Sequence, residues 1–208
     1  TYSSSDTTPD VVEGQTAVET VTITDTDSSD TNGCILGGAD ADDFSCTISP
    51  TQFVLAFATA PDYDNPSDAD GNNIYAVTVT VFDGTQNGAT ISYQVSVTNI
   101  NDDVPQYSSS DLTPSINEGT NTVETVAITD PDNDDVNSCI LGGADASDFY
   151  CLISSDQFVL AFSSAPDYES PSDADENNVY LVTVTISDSF NTGSTLSYQV
   201  SVADINDN

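Results

Sequence analysis

The chain repeats itself at a period of 105 positions with no insertion or deletion, so it must build the same fold twice. Cys34 corresponds to Cys139, Cys46 to Cys151, Asp62 to Asp167 and Tyr93 to Tyr198, and roughly two-thirds of corresponding positions are identical. Each copy closes on an acidic run, Asn99–Ile100–Asn101–Asp102–Asp103 in the first and Asp204–Ile205–Asn206–Asp207–Asn208 in the second. Two tandem domains are expected, 1–105 with a linker over 99–105, and 106–208 ending in the next linker.

Period-two alternation predicts β-strands throughout. Tyr75, Val77, Val79 and Val81 share one face, with Ala76, Thr78 and Thr80 on the other. Ile91, Tyr93, Val95 and Val97 do the same, as do Phe53, Leu55 and Phe57, and the second copy repeats each strand. Shorter strands are expected at Val18 to Thr24 and Phe44 to Ile48. About seven short strands per repeat, separated by turn-rich Gly, Pro, Asn and Asp segments, predict an all-β chain of two tandem seven-stranded Greek-key β-sandwiches of the immunoglobulin-like kind. The Cys, Trp, Cys framework of a true immunoglobulin domain is missing.

Charge decides the partners. The chain has 35 Asp plus Glu and no Lys, Arg or His, a formal net charge of -35. Nucleic acid and anionic membrane surfaces are thereby excluded as direct partners. Hydrophobic residues make up 37% of the chain, too many for a disordered acidic tail, so the repelling carboxylates must be neutralised within a folded protein. With no basic side chain to do this, bound cations are required, and hard oxygen ligands suit Ca²⁺ best. No apolar run of 18 residues occurs and no signal peptide is visible, so the segment is expected to be soluble.

Four blocks in each copy resemble the cadherin-like repeats, especially the tandem bacterial ones of large surface adhesins. An early Glu (Glu13, Glu118) precedes an Asp-x-Asp pair (Asp25 and Asp27, Asp130 and Asp132). Gly-Gly-Ala-Asp-Ala follows at 37–41 and 142–146. Ala-Pro-Asp-Tyr then carries Asp62 and Asp64, or Asp167 and Glu169, ahead of a strand ending in Asp83 or Asp188. The fourth block is the linker, whose family form is Asp-x-Asn-Asp-Asn-x-Pro. The resemblance implies calcium clusters at the joint between domains. Glu13, Asp62, Asp64 and Asp102 would form one, and Asn101, Asp130, Asp132 and Asp188 another, with the Ile100 and Asp103 carbonyls assisting. Asn99 and Asp103 depart from the family residues, which implies a weaker middle site. Asp204, Asn206, Asp207 and Asn208, with Glu118, Asp167 and Glu169, would be half of a further junction, and Asp25, Asp27 and Asp83 the complementary half. Termini in phase with the repeat imply a window cut from a longer tandem array or the unit of a polymer.

A lone Asp on so acidic a protein is only a solvated charge, whereas each calcium ion needs several oxygens converging from separate segments. The stretch Asp68, Asp70, Gly71 is similar to an Asp-x-Asp-Gly calcium loop, but the second copy has Glu176 at the Gly71 position, losing the Gly that a tight turn would use. It is read as a solvated loop. Pairing within a repeat, Cys34–Cys46 and Cys139–Cys151, is the economical disulfide pattern, since equivalent cysteines in domains strung end to end lie too far apart; the alternative is free buried thiols. Disulfides would place the chain outside the cell or on its surface.

An enzyme is not expected. No base or nucleophile is available beyond carboxylates, and these recur identically in both copies. Exposed Thr and Ser rows are read as ordinary solvated strand faces and not as a surface for ice or carbohydrate. The sequence points to a calcium-rigidified structural repeat of an extracellular filament or surface stalk, joined head to tail to further copies of itself. The alternative is an adhesin arm or cell–cell adhesion module, whose partners would be other surface proteins, glycans or a cadherin-like domain.

Overall fold

The computed structural model describes residues 1–24, 33–132, 137–154 and 156–206. It divides into two units, Thr1–Ile100 and Asn101–Asn208. The first unit contains β1 (Asp10–Val12), β2 (Ala17–Thr22), β3 (Gly33–Gly37), β4 (Phe44–Ser49), β5 (Gln52–Phe57), β6 (Ile74–Phe82) and β7 (Asn87–Thr98). The second contains β8 (Gln106–Tyr107), β9 (Ser115–Asn117), β10 (Thr122–Thr129), β11 (Ser138–Gly142), β12 (Phe149–Ile153), β13 (Gln157–Phe162), β14 (Val179–Ser187) and β15 (Leu196–Ala203).

Each unit is a sandwich of two sheets. In the first, β1-β7-β6-β3 faces β2-β5-β4; in the second, β9-β15-β14-β11 faces β8-β10-β13-β12. All pairings are antiparallel except β1 on β7 and β9 on β15, where a short strand runs parallel along the sheet edge. The predicted alternation is what the sheets use. Tyr75, Val77, Val79, Tyr93 and Val95 interlock with Phe53, Leu55 and Phe57 from the opposite sheet, all buried. Phe57 and Phe44 stack with ring centroids 4.5 Å apart, and Tyr75 meets Phe57 edge-on at 5.0 Å; the second core repeats this with Phe162, Phe149 and Tyr180.

Two devices hold the edges. Cys34 on β3 is bonded to Cys46 on β4, and Cys139 on β11 to Cys151 on β12. Each disulfide ties the outermost strand of one sheet to the outermost strand of the other. At the N-terminal side of each unit, Glu19 accepts from Tyr93 Oη at 2.6 Å and from Ser4 Oγ at 2.7 Å, and Glu124 accepts from Tyr198 and Ser109 at the same two distances. A half-buried carboxylate thereby pins the first segment of each unit onto its core.

Candidate metal centres

The acidic residues are positioned by the turns that end the strands. In the first unit Glu13 lies in the turn after β1 and is only 4% exposed. Its Oε2 accepts the Tyr63 N–H at 2.8 Å and its Oε1 the Ile100 N–H at 2.7 Å, so one carboxylate fastens both the 58–73 connection and the chain leaving β7. Asp62 Oδ1 accepts the N–H groups of Asp64 and Asn65, folding that loop back on itself. Glu13, Asp62 and Asp64 thus each offer an oxygen within 4.8 Å of the others.

The second unit builds the same pattern with a changed membership. Glu118 accepts from Tyr168 N at 2.9 Å and from Ile205 N at 2.8 Å. Here the oxygens within 4.8 Å of one another come from Glu118, Glu169 and Asp204. Asp204 is a carboxylate where the first copy has Asn99, and the longer Glu169 replaces Asp64. Asp167 stays outside this trio, although its Oδ1 accepts the Glu169 and Ser170 N–H groups just as Asp62 Oδ1 accepts those of Asp64 and Asn65.

A different cluster occupies the opposite, β10–β11 and β14–β15, end of the second unit. Asp132 is 3% exposed and Asp188 6%, and Asp130 is half-buried beside them. Asp130 Oδ2, Asp132 Oδ1 and Asp188 Oδ2 are buried with no hydrogen-bond partner. Their sister oxygens are used: Asp132 Oδ2 accepts from Asp103 N at 2.7 Å and Asp102 N at 3.1 Å, and Asp188 Oδ1 accepts from Phe190 N and Asn191 N. Asn191 Nδ2 donates to Asn101 Oδ1 at 2.7 Å and to the Asp103 carbonyl at 3.0 Å. Burial, reinforced by the charges of Asp188, Asp132 and Asp103, holds the Asp130 carboxyl above its ordinary range despite the Asp132 N–H. Among the described residues there is no cation to offset these charges, and a buried carboxylate oxygen without a partner is costly.

Several expectations fall elsewhere. Asp25, Asp27, Asp207 and Asn208 lie outside the described residues. Asp83 is half-exposed, and the Gln86 and Thr85 N–H groups hold its carboxyl below the usual range. Asn206 takes a left-handed backbone with its N–H on Asp204 Oδ1. Ile100 is exposed and Asn99 sits beside it on the surface. In the stretch read as a solvated loop, Ala69, Asp70, Gly71 and Asn72 are exposed, but its first carboxylate is not. Asp68 and Asp173 are buried, and Asp68 spends its oxygens on the Asn72 and Asn73 N–H groups while Asp40 takes those of Ala69 and Ala76. Backbone amides consume these carboxylates, leaving a loop staple. Nor is Gly needed there, because Glu176 adopts φ +56° where Gly71 has +68°. Asn191 was not singled out from sequence; its counterpart is Gln86, and only the fold brings its amide to the linker.

No protein-family model and no curated protein matches the sequence. Solved structures do match in shape. A protocadherin gammaB7 EC3-6 cis-dimer structure is similar over 100% of this chain, with a TM-score of 0.66 and 20% identity. The chain spans 48% of that fragment's length. Human protocadherin-24 EC1-2 is similar over 98% of this chain and 96% of its own, with a TM-score of 0.65 at 18% identity. Drosophila N-cadherin EC1-4 has a TM-score of 0.64 at 15% identity, over 94% of this chain and 47% of its own. At such identities the likeness is one of fold: both units have the architecture of cadherin ectodomain repeats.

Proposed function

We propose that the chain is a calcium-binding structural repeat of an extracellular filament or surface stalk, in which repeats 1–105 and 106–208 are joined head to tail through calcium and stiffened by it. The observation that carries this reading is the set of buried, unpartnered carboxylate oxygens on Asp130, Asp132 and Asp188. Calcium supplies a hard dication that takes 6 to 8 oxygens, matching a donor set made of carboxylates, an Asn side chain and backbone carbonyls. Asp130, Asp132, Asp188, Asn101 and the Asp103 carbonyl would hold one ion. Glu13, Asp62 and Asp64 would hold another, and Glu118, Glu169 and Asp204 a third.

These side chains also grip the linker. Glu13 receives the Ile100 N–H, and Asp132 receives those of Asp102 and Asp103. When the carboxylates are left to repel one another, the linker amides lose their fixed acceptors; when the repulsion is neutralised, the linker is held. The role is non-catalytic, since the same acidic blocks recur at corresponding positions in both copies. The setting is extracellular or at the cell surface, where disulfides persist and calcium is plentiful. Hydrogen exchange of the Ile100, Asp102 and Asp103 amides tests the proposal. Exchange at least about tenfold faster in chelator than in calcium is expected, and equal rates would sink the stiffening role.

A further inference from the structure

In the second unit one residue reaches the root of both strands that deliver Asp130 and Asp188. Tyr107 stands on β8, where its backbone pairs with Ile128 of β10, two residues before Asp130. Its ring lies against the core, meeting Phe158 edge-on with centroids 5.9 Å apart. The hydroxyl ends on the opposite sheet, where it accepts the Ile186 N–H at 2.8 Å and donates to the Ser194 carbonyl. Ile186 too stands two residues before an acidic member of the cluster, Asp188. Regular pairing of β14 with β15 stops at Val184 opposite Leu196, and beyond it only Ser187 bridges to Thr192. The Tyr107 hydroxyl fills the gap, standing where a backbone rung would join Ile186 to Ser194. Gly193 makes the room, since a Cβ there would lie 2.7 Å from both the Pro105 carbonyl oxygen and Tyr107 Cε1. The first unit repeats the construction: Tyr2 bridges to Ile23, accepts the Val81 N–H at 2.9 Å two residues before Asp83, and donates to the Ala89 carbonyl, with Gly88 leaving the space.

We propose that Tyr107 is a positioning residue for the cluster of Asp130, Asp132 and Asp188, fixing the spacing of its two acidic segments before an ion arrives. The inference rests on the calcium reading above. Asp130 and Asp132 follow β10 and Asp188 follows β14, and these strands belong to different sheets, joined by no ladder among the described residues. Without an ion the like charges drive the two segments apart. Tyr107 opposes this as a spacer of fixed length, its backbone fastened to one sheet and its hydroxyl to the other. A rigid ring with two side-chain torsions holds that span better than a long flexible side chain could. Because the hydroxyl is spent on backbone groups, Tyr107 acts on the carboxylates only through the strands that carry them. Ligands already held at their working separation lose less freedom on binding, which favours the bound state.

Hydrogen exchange of the intact chain, followed residue by residue across a calcium titration, provides the test. The Phe190 and Asn191 amides, which rest on Asp188 Oδ1, report the cluster. Tyr107→Phe removes only the hydroxyl and should raise the calcium concentration at half-protection of these amides about tenfold or more. Tyr2→Phe makes the same deletion in the first unit and should leave that midpoint within about twofold, which separates local positioning from a general loss of stability. Gly193→Ala keeps the hydroxyl but crowds its ring and the Pro105 carbonyl, and should move the midpoint in the same direction as Tyr107→Phe. The unaltered chain supplies a check that needs no variant. In chelator its Ile186 amide should exchange at least about tenfold more slowly than those of Phe190 and Asn191, because the tyrosine anchor is in place without the ion. An unmoved midpoint in Tyr107→Phe, an equal shift in Tyr2→Phe, or an Ile186 amide as open in chelator as the other two would each overturn the inference and leave the calcium reading standing. Phe190 and Asn191 amides indifferent to calcium in the unaltered chain would overturn both.

Discussion

Asp188 carries two opposed duties. One oxygen closes its own turn on Phe190 and Asn191, and the other is buried with no partner. Asp188→Asn keeps the first duty and removes the charge. It should therefore stabilise the calcium-free protein by about 1 kcal/mol or more and weaken calcium affinity at least about tenfold. Calorimetric calcium titration and melting in chelator read the two effects, and loss of stability in both conditions would contradict the assignment. Glu124 shows the reverse balance. Burial pushes its carboxyl up, but hydrogen bonds from Tyr198, Ser109 and Ser110 outweigh it and hold it below the ordinary 4.5. A folded-state value lower than the unfolded one contributes stability that is complete above about 4.5 and fades as pH falls through the lowered value. The urea midpoint of the parent chain should consequently drop more steeply on acidification below that pH than that of Glu124→Gln. Parallel curves would show that the latch does not sense protons.

At the level of the element, alternation read along the chain located β5, β6 and β7 and their copies, because each sends alternate residues into the core; β13 departs in burying Ala161 as well. The strand expected from Val18 to Thr24 ends at Thr22 as β2, with Ile23 in a separate bridge to Tyr2. β1 is three residues long and β3 is bounded by glycines, so neither has enough alternation to be read. The turn after β11 shows what the fold demands of a single backbone position. Gly143 has φ +102°, and a Cβ there would sit 2.5 Å from the Leu181 carbonyl oxygen. Backbone cannot retreat as a flexible side chain could. Gly143→Ala should cost about 3 kcal/mol or more, measured by urea unfolding, and the equivalent Gly38→Ala should behave alike. A substitution tolerated within about 0.5 kcal/mol would show that the turn relaxes.

Across the whole molecule no single contact weighs as heavily as the net charge of -35. Calcium at the proposed clusters would neutralise only some of these charges and leave most acidic side chains spread over the surface. Their mutual repulsion is screened over about 8 Å at 0.15 M ionic strength. With calcium saturating, the melting temperature should therefore rise from low salt to seawater-like NaCl. A flat or falling trend would mean that the folded surface already spaces its charges beyond reach of one another.

The repeat, the strand periodicity and the total lack of cations were legible in the chain itself, because each is a property of residue order or composition that no packing can alter. From these came the all-β double unit and the expectation of bound cations. Which carboxylates face a common point was decided only in three dimensions. Asp62 joins Glu13 and Asp64, yet its copy Asp167 stands aside while Asp204 enters, since a longer Glu169 and a charged linker residue change which oxygens reach the same space. Asp68 and Asp40 are carboxylates like the proposed ligands but spend themselves on backbone amides. An acidic residue is marked by its letter, whereas its burial and its hydrogen-bond partners are set by the chain folded around it.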